Sequence, residues 1–445
     1  MRTGTTARGI AIAGAALLAV TACGGGSSNS SGSDSSGSGT KQVNVYGTDG
    51  NMGNALGKDF TNPGSLQGMK GTAPLTKLSS DFTDRLLKVD PKLQDYNYAG
   101  ETYDAVVLTA LSAQMAGTND AKVFKTYVNG VTFGGDKCTD FSSCMTIIKA
   151  GGNPDYDGVS GPLAFTDAGE PAKASFGILH FESDNTIHAD KNQYVFAGDE
   201  ANAASNEGPN GGKPASAGAT GAPLVMGYLL PQTGNLAFLG PPEVAGFQLA
   251  INDINAAGGV LGAQVRAEGG DSGDTSTDTA TQTVDRLLQA GVNAIVGAAS
   301  SGVSQTVIDT ITGAGVMQIS PANTSDIFTT YNDNGLYFRT APPDTLQSRA
   351  LADVITGDGN NTVGILALND PYGTGLAENT RKNLIASGLA EKDIQSVIYD
   401  PQAANFDSEV QKMVDMNPDA IVVIGFEESS KIIQGLNAQG IGPQR

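Results

Sequence analysis

Basic residues are scarce in this 445-residue chain: 26 Lys and Arg stand against 46 Asp and Glu, a formal charge of −20. An acidic body of this kind draws neither a nucleic-acid backbone nor an anionic membrane surface, so no nucleic acid is expected among its partners. Cysteine and histidine are scarcer still, with three and two copies. His180 and His188, with a single pair of neighbouring cysteines, do not make a ligand set, and neither a metal nor a cofactor is expected. Catalytic patterns are missing too: there is no Gly-x-Ser-x-Gly elbow, no Gly-x-Gly-x-x-Gly fingerprint and no Gly-x-x-x-x-Gly-Lys-Ser/Thr loop. The chain is therefore expected not to be an enzyme. Apolar residues make up only 39%, which implies that parts of the chain are not core.

Two segments account for that deficit. Residues 1–22 carry Arg2 and Arg8, no acid, and an apolar run over 9–20. The run is shorter than the roughly 20 residues a bilayer span needs, and it fits a secretory signal. The segment Val20-Thr21-Ala22-Cys23 resembles a bacterial lipobox, which implies that Cys23 becomes the lipidated first residue of the mature chain. An ordinary signal with an incidental cysteine is the alternative. Residues 24–40 are only Gly, Ser, Asn, Asp and Thr, so 23–40 is expected to be an anchor and a flexible tether on the extracytoplasmic face of the cell membrane. In that oxidising setting Cys138 and Cys144, six apart, are expected to form a local disulfide, with two free thiols as the alternative. The second segment, 198–222, has no aromatic residue and no Leu, Ile, Val or Met. It is read as a flexible linker between blocks 41–197 and 223–445.

The second block alternates strand and helix signals. Strands are predicted over 224–230, 265–268, 294–296, 316–319, 363–368, 396–399 and 420–424. Helices are predicted over 242–256, 279–289, 304–312, 376–387, 406–414 and 429–439. Such alternation means an α/β fold with parallel sheets and crossover helices. A strand should follow the last helix. The fitting piece, Val43-Asn44-Val45-Tyr46 with the turn Gly47-Thr48-Asp49-Gly50, opens the first block instead.

Residues 226–259 (MGYLLPQTGNLAFLGPPEVAGFQLAINDINAAGG) resemble the start of the extracellular solute-binding proteins of branched-chain amino-acid transporters. The segments VGAASSGVSQ (296–305), ISPANTS (319–325), LNDPYGTG (368–375) and 421–427 support the resemblance. It implies a type 1 periplasmic-binding fold: two doubly wound lobes joined by three hinge strands, near 339–344, 76–80 and 151–158. In the family's order, the strand with a Gly-x-Asp/Glu-Gly turn follows the point reached at Arg445. Here it lies at 43–50, and the helix 103–114, the cysteine loop and the strand pair 161–165 and 174–181 follow it. The expectation is a circular permutation, natural or engineered. Residues 81–158 and 223–344 would form the first lobe. Residues 41–80, 159–197 and 345–445 would form the second, and 198–222 would join the family's usual ends.

A free amino acid needs a carboxylate site, an ammonium site and a side-chain pocket. The small-residue turn 297–302 before a helix offers backbone N–H groups and a positive helix end to a carboxylate. By the resemblance Ser301 donates to that carboxylate; Ser300 and Ser301 acting only as helix caps is the plain alternative. The resemblance also assigns the Ala322 carbonyl to the ammonium, the Thr324 hydroxyl and N–H to the ligand, and Asp49 as the ammonium's counter-charge. Tyr372 and Phe426 would close over the ligand, and Phe238 and Leu239 would line the side-chain pocket. The implied protein is a monomeric lipid-anchored binder that closes on an amino acid or similar small solute and delivers it to an ABC permease. The alternative is a sensor of the same fold that signals to a membrane partner.

Overall fold

The computed structural model describes residues 42–215 and 222–443; the signal segment 1–22, Cys23 and the tether 24–40 lie outside them. The strands Val363–Leu368 and Ala420–Ile424 are buried at every position, as parallel strands covered on both faces must be. They sit in a seven-stranded sheet. Its order is Ile394–Tyr399, Val363–Leu368, Ala420–Ile424, Asn44–Gly47, Lys70–Pro74, Lys173–His180 and Gln193–Gly198. The first five strands are parallel and the last two add antiparallel pairs. A second sheet is parallel throughout, in the order Tyr337–Arg339, Met317–Ser320, Ala294–Gly297, Val225–Leu230 and Arg266–Asp271. Helices pack on both sheets, giving two α/β layered bodies, and the core of the seven-stranded one takes in Leu236, Leu239, Ala299 and Ala322 from the loops of the other.

The chain order and the sheet order disagree at one place. Asn44–Gly47 lies between Ala420–Ile424 and Lys70–Pro74, with Asn44 opposite Ala420 and Tyr46 opposite Val422. A strand from the beginning of the described chain thus joins three strands from its end to three more from its first half. Tyr46 Oη donates to Asp358 at 2.7 Å and accepts from Asn360 at 2.8 Å, fastening the strand to the loop after helix Asp344–Gly357.

Besides the segment after Gly198, which runs back along 165–172 from the seven-stranded sheet to the five-stranded side, the described chain passes between the sheets three times. Two passages lie at 339–344 and 75–79, leading into helices Asp344–Gly357 and Ser80–Val89. The third comes later than the expected 151–158. Pro154–Tyr156 pairs with Asp136–Cys138 beside the disulfide, and the crossing falls between Phe165 and Lys173. The strand expected at 161–165 is a loop with isolated bridges. Gly161 and Ala164 both have positive φ, which extended pairing cannot use. The partner of Lys173–His180 is Gln193–Gly198 instead. Arg339 and Glu170 tie the first and third passages together as a buried ion pair, with Arg339 N donating to Gly169 O at 3.0 Å.

Cys138 and Cys144 are joined by a disulfide with their Cα atoms 5.2 Å apart, tying a short strand to helix Phe141–Lys149. Of the segment 198–222, residues 198–215 lie on the body. Ala204 N donates to Phe165 O at 2.7 Å and Ala215 N to Met115 O at 2.7 Å. Small residues let this stretch run close to neighbouring backbone, so its described part is held by main-chain hydrogen bonds.

Candidate functional site

The site forms where loops from the two sheets meet. On the five-stranded side, the loop after Ala294–Gly297 runs into helix Ser301–Gly313. Ser300 caps that helix by accepting from Val303 N at 3.3 Å. The neighbouring loop after Met317–Ser320 is sewn to it. Ser320 Oγ donates to Ala298 O at 2.7 Å, and Asn323 Nδ2 donates to Ala299 O at 2.8 Å. These bonds hold Ser301, Ala322 and Thr324 side by side. Ser301 Oγ accepts from Ser325 N at 3.3 Å and keeps its own proton free to donate. Thr324 Oγ1 is buried with no hydrogen-bond partner among the described residues.

On the seven-stranded side, the turn after Asn44–Gly47 carries Asp49, which is 5% exposed. Its carboxylate accepts from Tyr98 Oη at 2.7 Å, Gln347 Nε2 at 2.7 Å and Tyr372 Oη at 2.8 Å. Burial pushes the Asp49 carboxyl above its usual range, opposed by those three donors, which favour the charged form. Two of them use Oδ1 and one uses Oδ2, so Oδ2 retains room for one more donor. Tyr372 stands at the start of helix Pro371–Ala386, capped by Asp370, and its ring stacks on Phe426 with centroids 5.4 Å apart and planes 9° apart.

Asp49, Ser301, Ala322, Thr324, Tyr372, Phe426 and Leu239 line one cavity together with Tyr98, Leu236 and Ala299. None of the residues lining it is basic. An anion there is met by hydroxyls and a helix N-terminus, and a cation by Asp49. The space left is ≈ 10 Å³, about enough for one water, so anything larger enters only when the loops part. Phe238 is not in this cavity; it is half-buried and faces an adjoining one. Sequence reading missed Tyr98 and Gln347. Nothing local marks them, because they meet Asp49 only through the tertiary fold. Behind the site, Asp344 is fully buried with neither carboxyl oxygen hydrogen-bonded among the described residues. Burial, then the nearby Asp49 charge, push its carboxyl well above the usual range, opposed by the neighbouring Thr324 hydroxyl and the Arg339 charge.

A family profile described as periplasmic binding protein matches residues 223–445. The chain is 25% identical over 218 residues to the Leu/Ile/Val-binding protein homolog 3 of Brucella melitensis, covering 49% of this chain and 58% of that protein. It is 29% identical over 172 residues to the Leu/Ile/Val-binding protein BraC3 of Rhizobium johnstonii, covering 38% and 46%. Among solved structures, it is similar to the branched-chain amino acid transporter substrate-binding protein LivJ of Streptococcus pneumoniae in complex with isoleucine. That match has 28% identity, a TM-score of 0.43 and coverage of 49% of this chain and 62% of that one. The chain spans less than two thirds of the length of the curated relatives it matches.

Proposed function

The chain belongs to the periplasmic binding protein family, and from that premise we propose that it captures a free amino acid, or a similar small solute, between its two sheets. The carrying observation is the pairing in one cavity of a carboxylate with a spare acceptor position, Asp49, and the hydroxyls of Ser301 and Thr324 beside a helix N-terminus. An α-amino acid carries complementary charges on one carbon. Its ammonium bonds Asp49 and the Ala322 carbonyl; its carboxylate bonds Ser301, Thr324 and the helix end. The ligand docks first on the Ser301 side, and the loops bearing Tyr372 and Phe426 close over it. The relatives' names favour an apolar side chain. The closed form delivers the ligand to an ABC permease from the outer face of the membrane, where a lipid on Cys23 holds the protein.

A circular permutation of the family's element order accounts for the sheet. The profile match ends with the chain at 445, and Asn44–Gly47 takes the next place beside Ala420–Ile424. The old ends lie close together: Ala215 bonds Met115, and Pro223 O accepts at 3.0 Å from Nδ2 of Asn119, in the loop just past the end of helix Ala99–Ala116.

Calorimetric titration with the common amino acids tests the binding reading. A charge-assisted hydrogen bond contributes about 1.5–3 kcal/mol, so Asp49→Ala is expected to weaken the tightest ligand by about tenfold or more. Tyr98→Phe, which removes one donor to Asp49 and keeps the ring, should cost less, about threefold to tenfold. Unchanged affinity in Asp49→Ala removes Asp49 from the site.

A further inference from the structure

The proposed ligand cavity adjoins a larger compartment. Gly50 and Phe426 line both. The second compartment holds ≈ 270 Å³, walled by Ala237 and Phe238 from the five-stranded side and by Ala55 and Leu56 from the seven-stranded side. We propose that it receives the far end of the ligand, and that the ligand is an α-amino acid with an aromatic side chain. This rests on the amino-acid reading above and narrows it.

Size comes first. A cavity of about 150 Å³ lined by apolar side chains takes a benzene, so this compartment holds a ring with room to spare. The walls suit a ring as well. Tyr372 and Phe426 are already stacked, and a ring entering beside Phe426 extends that stack. Two glycines keep the walls thin. A Cβ at Gly50 would meet Gly425 O at 2.6 Å and the Phe426 ring at 2.9 Å, and a Cβ at Gly53 would meet the Phe238 ring at 2.9 Å. Either would push an aromatic wall out of place.

Polarity argues the same way. Asn51 also lines the compartment, yet its amide protons go to Val423 O at 2.9 Å and Ser429 Oγ at 3.0 Å, while its Oδ1 accepts from Thr48 N at 2.9 Å. It has no free donor for a polar tail. Lys58, Asp59 and Glu427, all exposed, stand at the rim as one cation against two acids, which disfavours an anionic tail, and Asn235 is the other polar residue of the lining.

Titration of the full chain and two variants with phenylalanine and with leucine tests the assignment. Wild type is expected to bind phenylalanine at least tenfold more tightly than leucine. Ala237→Trp and Ala55→Trp fill the compartment from opposite walls. Each is expected to weaken phenylalanine at least tenfold while leucine moves less than threefold, so the result survives if one variant does not fold. A wild type that prefers leucine, or variants that weaken both ligands equally, overturns the aromatic assignment and leaves the amino-acid reading standing. If neither amino acid binds wild type, and a screen of the remaining amino acids is also silent, the amino-acid reading falls and this assignment with it.

Discussion

Glu243 is completely buried in helix Gly240–Ala256, and neither of its carboxyl oxygens has a hydrogen-bond partner among the described residues. Burial, then the charge of Glu101 on the facing helix Ala99–Ala116, push its carboxyl well above the usual range. Burial, helped by the charge of Asp104 and opposed by a backbone hydrogen bond, drives Glu101 up to about 8. Asp104 reaches about 6 by burial, although Tyr156, Ser160 and Val159 all donate to it. All three exceed the unfolded value of about 4, so the folded chain holds these protons more tightly than the unfolded one. Their contribution to stability is complete below about pH 4 and is lost as pH rises through 6 to 8. Thermal unfolding followed by circular dichroism should give a Tm that falls by about 5 °C or more between pH 5 and pH 8.5. Glu243→Gln should raise the Tm at pH 8.5 and flatten the slope; a Tm that climbs with pH over this window contradicts the assignment. No pattern in the sequence points to these groups, since Glu101 and Glu243 lie on helices whose surroundings only the tertiary packing defines. The ligand cavity divides similarly. Ser301, Ala322 and Thr324 stand in short motifs that can be read, whereas Tyr98 and Gln347 reach Asp49 from 49 and 298 residues away.

At the scale of elements, apolar runs are readable and edges are not. Ala294–Gly297 and Val363–Leu368 are continuous buried strands and declare themselves as such. Gln193–Gly198 is an edge strand with Phe196 63% exposed, so its pattern carries no alternation. The passages between the sheets are equally hard to read, and one polar contact governs them. Arg339 is 1% exposed and donates to Glu170, to the carbonyls of Asn323 and Ser325, and to Thr329. It therefore fixes both the loop that carries Thr324 and the third passage. Removing one partner of a buried pair leaves the other charge unpaired at a cost of about 3–5 kcal/mol. Glu170→Ala should destabilise by about that much in urea unfolding, and Glu170→Gln by less, because an amide oxygen still accepts from Arg339. A loss below about 1 kcal/mol in Glu170→Ala would mean that the pair is not what holds the passages.

At the scale of the whole molecule, the order of segments is the least expected feature and the easiest to test. If residues 41–197 and 223–443 were separate domains, each would own its sheet. Instead the seven-stranded sheet is shared between them, with Asn44–Gly47, Lys70–Pro74, Lys173–His180 and Gln193–Gly198 from one block joined edge to edge to three strands of the other through Asn44–Gly47 and Ala420–Ile424. Helix Ala99–Ala116, from the first block, is buried against helix Gly240–Ala256 and the five-stranded sheet of the second. Residues 42–443 form a single unit. A protease site inserted after Gly218 should therefore cut the chain without parting it. The two fragments are expected to co-elute in gel filtration, to unfold in one transition and to keep the uncut protein's amino-acid affinity within about threefold, since the cut removes no contact of the cavity. A second gene that places residues 41–197 directly after Arg445, with 198–222 deleted, restores the family's order. It should yield the same ligand preference, because the same strand follows Ala420–Ile424 in the same sheet. Fragments that separate on cutting and fold independently would end the permutation reading, and the family-ordered chain would then have no reason to fold.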